Sequence, residues 1–196
     1  MRPFFTITGG IFAAMFVTVG YAGDLSSIPE KKQTKAGLYL TSAEAAGLLE
    51  DRNVLLLDVR SRPEVTFVGM PVRVDVHIPL MEMSKQARYD PEKQSYPLEL
   101  NAAFEFDFLD YAEATELNED APIVLICRSG SRSAKAANIL YDLGYENVYS
   151  VIDGFEGDKA KIGPERGHRT VNGWKNAGLE WGYSISLDQV YPGDRR

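Results

Sequence analysis

The chain has 196 residues and a formal net charge of −7, with 21 Lys+Arg against 28 Asp+Glu. No basic surplus is available to displace counterions from phosphates, so nucleic acid is not an expected partner. The composition, 44% hydrophobic and 25% charged, excludes a disordered or collagen-like chain and suits one domain.

Residues 1–22 read as an export signal rather than as part of the fold. Arg2 supplies a short positive start, residues 4–22 carry no charge, and Ile11 to Val17 form a compact apolar stretch. Gly20 and Ala22 are small residues where a signal peptidase cuts, which places the mature protein in the periplasm. The uncharged run of 19 residues, 4 through 22, is also long enough to serve as an uncleaved anchor. Residues 23–37 follow as a polar leader.

Leu38 to Leu40 is a short strand. Thr41-Ser42-Ala43-Glu44 has the form of a capping box and opens a helix that runs to about Asp51. Val54 to Leu57 is a continuous apolar run of the buried parallel-strand type, followed by Asp58-Val59-Arg60. Pro63-Glu64 opens a short helix. Val72 to Ile78 alternates and ends at Pro79, as an edge strand does. Met81 to Pro97 reads as an irregular excursion, and Leu100 to Leu117 as a helix. Pro122 to Ile126 is a second fully apolar strand, ending at Cys127. Ser133 to Leu143 is a helix stopped by Gly144, and Val148 to Ile152 is the next strand. Beyond Gly154 a Gly-rich, polar segment holds a short helix around Val171 to Ala177. Strands alternating with helices predict an α/β fold, a mostly parallel central sheet with helices on both faces. In such sheets the sites lie at the carboxyl ends of the strands, where Asp58 and Cys127 both fall.

Cys127 is the only cysteine, and the two histidines are far apart. An intrachain disulfide, a four-cysteine zinc site and a two-cysteine redox motif are therefore excluded, Cys/His metal ligation is poorly supplied, and neither metal nor other cofactor is expected. Structural cysteines of exported proteins normally pair, so an unpaired one is either buried or used. Cys127-Arg128-Ser129-Gly130-Ser131-Arg132-Ser133 lies between an apolar strand and an Ala-rich helix. A turn there aims backbone amides into a small concavity backed by a helix N-terminus, with Gly130 allowing the turn. Arg128 and Arg132 add positive charge, and Ser129, Ser131 and Ser133 supply hydroxyls, one of which can cap the helix. These features favour the thiolate over the thiol and suit a small oxyanion held beside the sulfur.

These residues resemble the rhodanese family, whose active-site cysteine opens a six-residue loop of pattern Cys-x-x-Gly-x-Arg. Cys127, Gly130 and Arg132 fit it without a gap. Leu56 to Arg60 followed by Pro63-Glu64 resembles a second signature of the family. Gly69-Met70-Pro71 with His77 to Leu80 matches a third loosely, with Met70 in place of a histidine that is not catalytic in the family. The resemblance covers 38–157 and leaves 158–196 as a C-terminal extension packed on or near the domain. It implies a rhodanese-like α/β fold and sulfur transfer through a persulfide on the catalytic Cys127. Arg128, Ser129, Gly130, Ser131 and Arg132 would bind the substrate. The implied partners are a small-molecule sulfur donor such as thiosulfate and a thiol or cyanide acceptor, with a protein acceptor also open.

Two other functions are compatible with the cysteine loop. One is an exported sulfur carrier or anion-binding module with little turnover. The other is a dual-specificity-type phosphatase; that class carries Cys-x5-Arg, whereas Cys127 and Arg132 give Cys-x4-Arg, a tighter ring suited to a sulfur atom. Among smaller candidates, the resemblance makes Asp58 and Arg60 structural, with Arg60 pairing a nearby acid such as Glu64. His77 reads as a structural histidine, His168 as part of a solvated loop, and Trp174 and Trp181 as staples for the extension.

Overall fold

The structure is a computed structural model that describes residues 27–195. The expected export signal, 1–22, lies outside the described residues. In chain order the elements are β1 (Tyr39–Leu40), α1 (Ser42–Leu48), β2 (Leu55–Asp58), α2 (Arg62–Phe67), β3 (Met70–Pro71), β4 (Val76–His77), β5 (Met81–Glu82), β6 (Glu99–Leu100), α3 (Phe104–Ala114), β7 (Ile123–Ile126), α4 (Ser131–Asp142), β8 (Val148–Val151) and β9 (Trp181–Gly182).

The two apolar runs make the centre of the sheet. β2 and β7 pair in parallel, with Leu55 opposite Ile123 and Asp58 opposite Ile126, and every residue of both is buried. The full order is β1-β8-β7-β2-β4, with each pairing parallel. Alternate strand residues feed opposite layers. Leu55, Leu57, Ile123 and Leu125 pack with Phe104, Phe108 and Ala112 of α3 and with Ala136, Ala137 and Leu140 of α4. Leu56, Val124 and Ile126 pack with Ala45 from the α1 side and Val65 of α2 on the other face. Burial of each such aliphatic side chain contributes about 1.5–3 kcal/mol, so these two layers hold the sheet.

The chain steps from β2 outward to β4, then returns to β7 and continues in the opposite direction to β8. The crossover helices after β2 and β7 consequently lie on opposite faces. The carboxyl ends of β2 and β7 are thus the topological switch point, where open α/β sheets form their crevices.

Local chemistry fixes the helix ends. Thr41 and Glu44 make the reciprocal capping box at α1. At α2 the Glu64 carboxylate accepts from Ser61 N and Oγ, at 3.0 and 2.7 Å. The cap is therefore Ser61, two residues before the expected opening at Pro63. α4 begins at Ser131, with Gly130 rather than a serine as its cap.

Three expected elements differ. The strand from Val72 to Ile78 is reduced to Val76–His77 at the sheet edge, because Pro71 pairs with Trp181 and Val74 N turns back to Pro71 O. The excursion from Met81 begins as a strand, since Met81–Glu82 pairs antiparallel with Glu99–Leu100; this delays α3 to Phe104. Val171 to Ala177 forms turns instead of a helix. Trp174 N and Lys175 N donate to Gly154 O and Phe155 O, so the amides that would build helix turns are spent on tertiary bonds.

The leader and the extension both pack on the domain. Lys32 is buried, with Nζ donating to Ile152 O at 2.8 Å and pairing with Asp158 at 3.0 Å. Trp174 is buried with Nε1 on Glu180 O, and Trp181 stands edge-on to Phe155.

Candidate functional site

β7 delivers Cys127 to the switch point, and the chain turns directly into α4. The Cys127 side chain is buried at the base of this loop, and its Sγ accepts the Gly130 amide at 3.1 Å. Below it, Ser133 Oγ lies 3.5 Å from Sγ and donates to Gly130 O at 3.1 Å. Ser150 Oγ of β8 in turn donates to Ser133 Oγ at 3.0 Å. The sulfur therefore sits on a buried hydroxyl pair supplied by the neighbouring helix and strand.

The loop is held from behind by the segment after β8. Phe155 N donates to Cys127 O at 2.7 Å, and Glu156 N and Gly157 N donate to Arg128 O. Two glycines permit this approach. Gly130 has φ +97°, and a β-carbon on it would lie 2.2 Å from Ile152 O; one on Gly154, φ +65°, would lie 2.5 Å from Cys127 O. We expect Gly130→Ala to lose more than the ~1–2 kcal/mol of left-handed backbone alone, because a carbonyl must also move. Urea unfolding that shows a loss below ~1 kcal/mol would contradict this packing.

The loop's last residue, Arg132, is not a free cation. Its Nη1 and Nη2 form a bidentate pair with Glu64 at 2.6 and 2.5 Å, both side chains largely buried. Burial pushes the Glu64 carboxyl upward, but the hydrogen bonds and charge of Arg132, aided by Ser61, outweigh it and hold the group at about 2, against 4.5 ordinarily. A carboxylate held low stabilises the fold above its unfolded value and loses that contribution as pH falls through the folded one. The difference corresponds to about 3 kcal/mol, reduced somewhat by partial exposure. Wild-type stability is therefore expected to fall between about pH 5 and pH 2 more steeply than that of Glu64→Gln. Equal slopes in urea unfolding would remove Glu64 as the titrating group.

The ends of β2 contribute a second, fully buried pair. Arg60 Nε and Nη2 bind Asp58 at 3.0 and 2.6 Å, Nη2 also donates to Gly69 O, and the guanidinium lies 4.1 Å from the Phe155 ring centroid. Arg60 thus pairs with Asp58 rather than with Glu64, which is engaged by Arg132. His77 is buried and donates from Nε2 to Arg60 O at 2.6 Å, and burial pushes its pKa down, so it is a neutral structural group. His168 is exposed beside Glu165.

Of the remaining candidates, Arg128 is exposed, Gly130 closes the loop onto Sγ, and Ser129 and Ser131 line a half-open cavity of about 1030 Å³.

The profile of the rhodanese-like domain matches residues 41–161, more than half of the chain. The chain belongs to the rhodanese-like domain family. Among its relatives in that family, the uncharacterized protein RP600 of Rickettsia prowazekii is 34% identical over 136 residues, covering 68% of this chain and 87% of RP600. The thiosulfate sulfurtransferase GlpE of Haemophilus influenzae (strain PittEE) is 42% identical over 50 residues, covering 26% of this chain and 46% of GlpE. The crystal structure of Rv0390 from M. tuberculosis superposes with a TM-score of 0.53 at 28% identity, covering 74% of this chain and 97% of Rv0390. The parallel five-stranded sheet is the α/β architecture expected from the strand–helix alternation, and the rhodanese-like fold is the one that the resemblance implied.

Three contributors to the rhodanese-like site carried no local sequence signal. Ser150 reads as an ordinary strand residue, Lys32 as part of a polar leader, and Arg169 as a solvated residue of the tail. Arg169 is half-buried, donates from Nη1 to Gly157 O, and lines the same cavity as Ser129 and Ser131.

Proposed function

We propose that the protein is a sulfurtransferase that carries sulfane sulfur as a persulfide on Cys127. The observation that carries this reading is Cys127 Sγ turned into its own loop and bound by the Gly130 amide, in a rhodanese-like domain. An amide aimed at sulfur stabilises negative charge there, on the thiolate before reaction and on the persulfide after it. The thiolate attacks the outer sulfur of thiosulfate; the S–S bond to the sulfonate breaks, and sulfite leaves with the electron pair. Cyanide or an acceptor thiolate then attacks the terminal sulfur of the persulfide and returns Cys127 as thiolate. Neither step needs a second cysteine, a metal or an external oxidant. In this reading Arg128 attracts the anionic donor. Arg132, through its pair with Glu64, positions the loop against α2 and does not itself bind substrate.

The test is incubation with thiosulfate followed by intact-mass measurement. A gain of one sulfur atom, about 32 Da, that a reducing thiol reverses is the expected result. No gain from thiosulfate or any other sulfane donor would sink the proposal. Multiple turnovers to cyanide or a small thiol would then distinguish a catalyst from a carrier, which would load once and retain its sulfur.

A further inference from the structure

The cavity bordered by Ser129 and Ser131 has a charge opposite to that of the chain. In a protein of net charge −7, it is lined by Lys31, Lys32, Lys159, Lys161, Arg166 and Arg169. Only two carboxylates, Asp153 and Asp158, face the same space, and both are engaged. Asp158 pairs with Lys32, and Asp153 accepts from Ser42 N and Oγ and from Gly173 N. Lys31, Lys159, Lys161, Arg166 and Arg169 have no salt bridge among the described residues. Cations gathered in a concavity on an acidic protein repel one another, and an anion relieves that repulsion while being drawn in by it.

Arg169 ties this cavity, which Ser129 and Ser131 border, to the backbone of the cysteine loop. Its Nη1 is fixed on Gly157 O, and Gly157 N is bonded to Arg128 O in the cysteine loop. Burial and then the neighbouring Arg128 guanidinium push its pKa down, while Glu156, Asp158 and Cys127 pull it up. Lys31, Lys32, Arg166 and Arg169 lie outside residues 41–161, so four of the cavity's six cations come from the segments that flank the matched domain. Its volume, about 1030 Å³, is that of a small-molecule pocket.

We propose that this cavity binds the carboxylate-bearing body of the sulfur acceptor, a small thiol with two or more carboxylates, and presents its sulfur to Cys127. The proposal rests on the sulfurtransferase reading. The bound thiolate attacks the terminal sulfur of the Cys127 persulfide, a new S–S bond forms, and the bond to Sγ breaks. The electron pair of that bond returns to Sγ as thiolate, the acceptor leaves as its own persulfide, and no external electrons are required. Anionic donors share the attraction, but a tight binding pocket for the acceptor raises discrimination between thiols, which attraction of the donor does not.

The experiment compares transfer from the loaded protein to mercaptosuccinate and to neutral 2-mercaptoethanol. In wild type the ratio of kcat/KM for the two thiols is expected to exceed that of Lys161→Gln/Arg166→Gln/Arg169→Gln by about tenfold at low salt, through KM. Comparing the ratio between proteins cancels the intrinsic reactivity of each thiol. Lys161→Gln/Arg166→Gln, confined to exposed side chains, gives the same comparison if the triple variant does not fold. An unchanged ratio overturns the proposal. Calorimetric titration of unloaded protein with mercaptosuccinate reads the site without turnover: wild type binds and the variant does not. Failure of Cys127 to load would refute the sulfurtransferase reading, whereas absence of binding in that titration would refute the anion site.

Discussion

Cys127→Ser is expected to abolish sulfur loading and all turnover while leaving the fold in place. The side chain differs by one atom, the Gly130 amide can still donate to the new oxygen, and the hydroxyl pair of Ser133 and Ser150 remains below it. The stability change should therefore stay within about 1–2 kcal/mol, the scale of one altered buried hydrogen bond. The chemical change is far larger. A hydroxyl has no accessible anion near neutral pH and forms no persulfide, so the rate should fall by at least about 10³-fold, as it does when a covalent nucleophile is removed elsewhere. Intact mass after thiosulfate treatment, with thermal unfolding as the control for folding, reads both parts. The sequence holds one cysteine, so retained loading in Cys127→Ser would leave no thiol to carry the sulfur and would end the persulfide reading.

The parts of the fold that were legible in the sequence are those set by local pattern. Val54 to Leu57 and Pro122 to Ile126 are apolar without interruption, as a strand covered on both faces is, and they became the central pair β2 and β7. Thr41 and Glu44 announced α1 by the spacing of their side chains, and Gly130 announced a loop that ordinary residues cannot follow. What was not legible depends on partners distant in the chain. Val171 to Ala177 was expected as a short helix, but Trp174 N and Lys175 N are claimed by Gly154 O and Phe155 O. Arg132 reads as a free cation until α2 brings Glu64 to it across 68 residues. The basic cavity joins Lys31 to Arg169, and no sequence window contains both.

The largest stability effects should come from Asp58 and Arg60, which stand two residues apart and carry no chemistry in this reading. Both side chains are fully buried, and the pair is closed by Nε and Nη2 of Arg60, by Gly69 O and by the Phe155 ring. Among the described residues, Nη1 of Arg60 has no hydrogen-bond partner, so the guanidinium depends on its one carboxylate. Removing a single member leaves an uncompensated charge in the core, and Asp58→Asn or Arg60→Met should each cost about 3–5 kcal/mol. Replacing both at once, as Asp58→Asn/Arg60→Met, should cost less than the sum of the two, because neither charge is then stranded. The damage should also reach the site, because Asp58 sits opposite Ile126 and Val59 N donates to Ile126 O, one residue before Cys127. Urea unfolding of the three proteins with wild type completes the cycle. Additive losses, or single variants within about 1 kcal/mol of wild type, would mean that the pair is solvated or replaceable and does not anchor the β2 end of the cysteine loop.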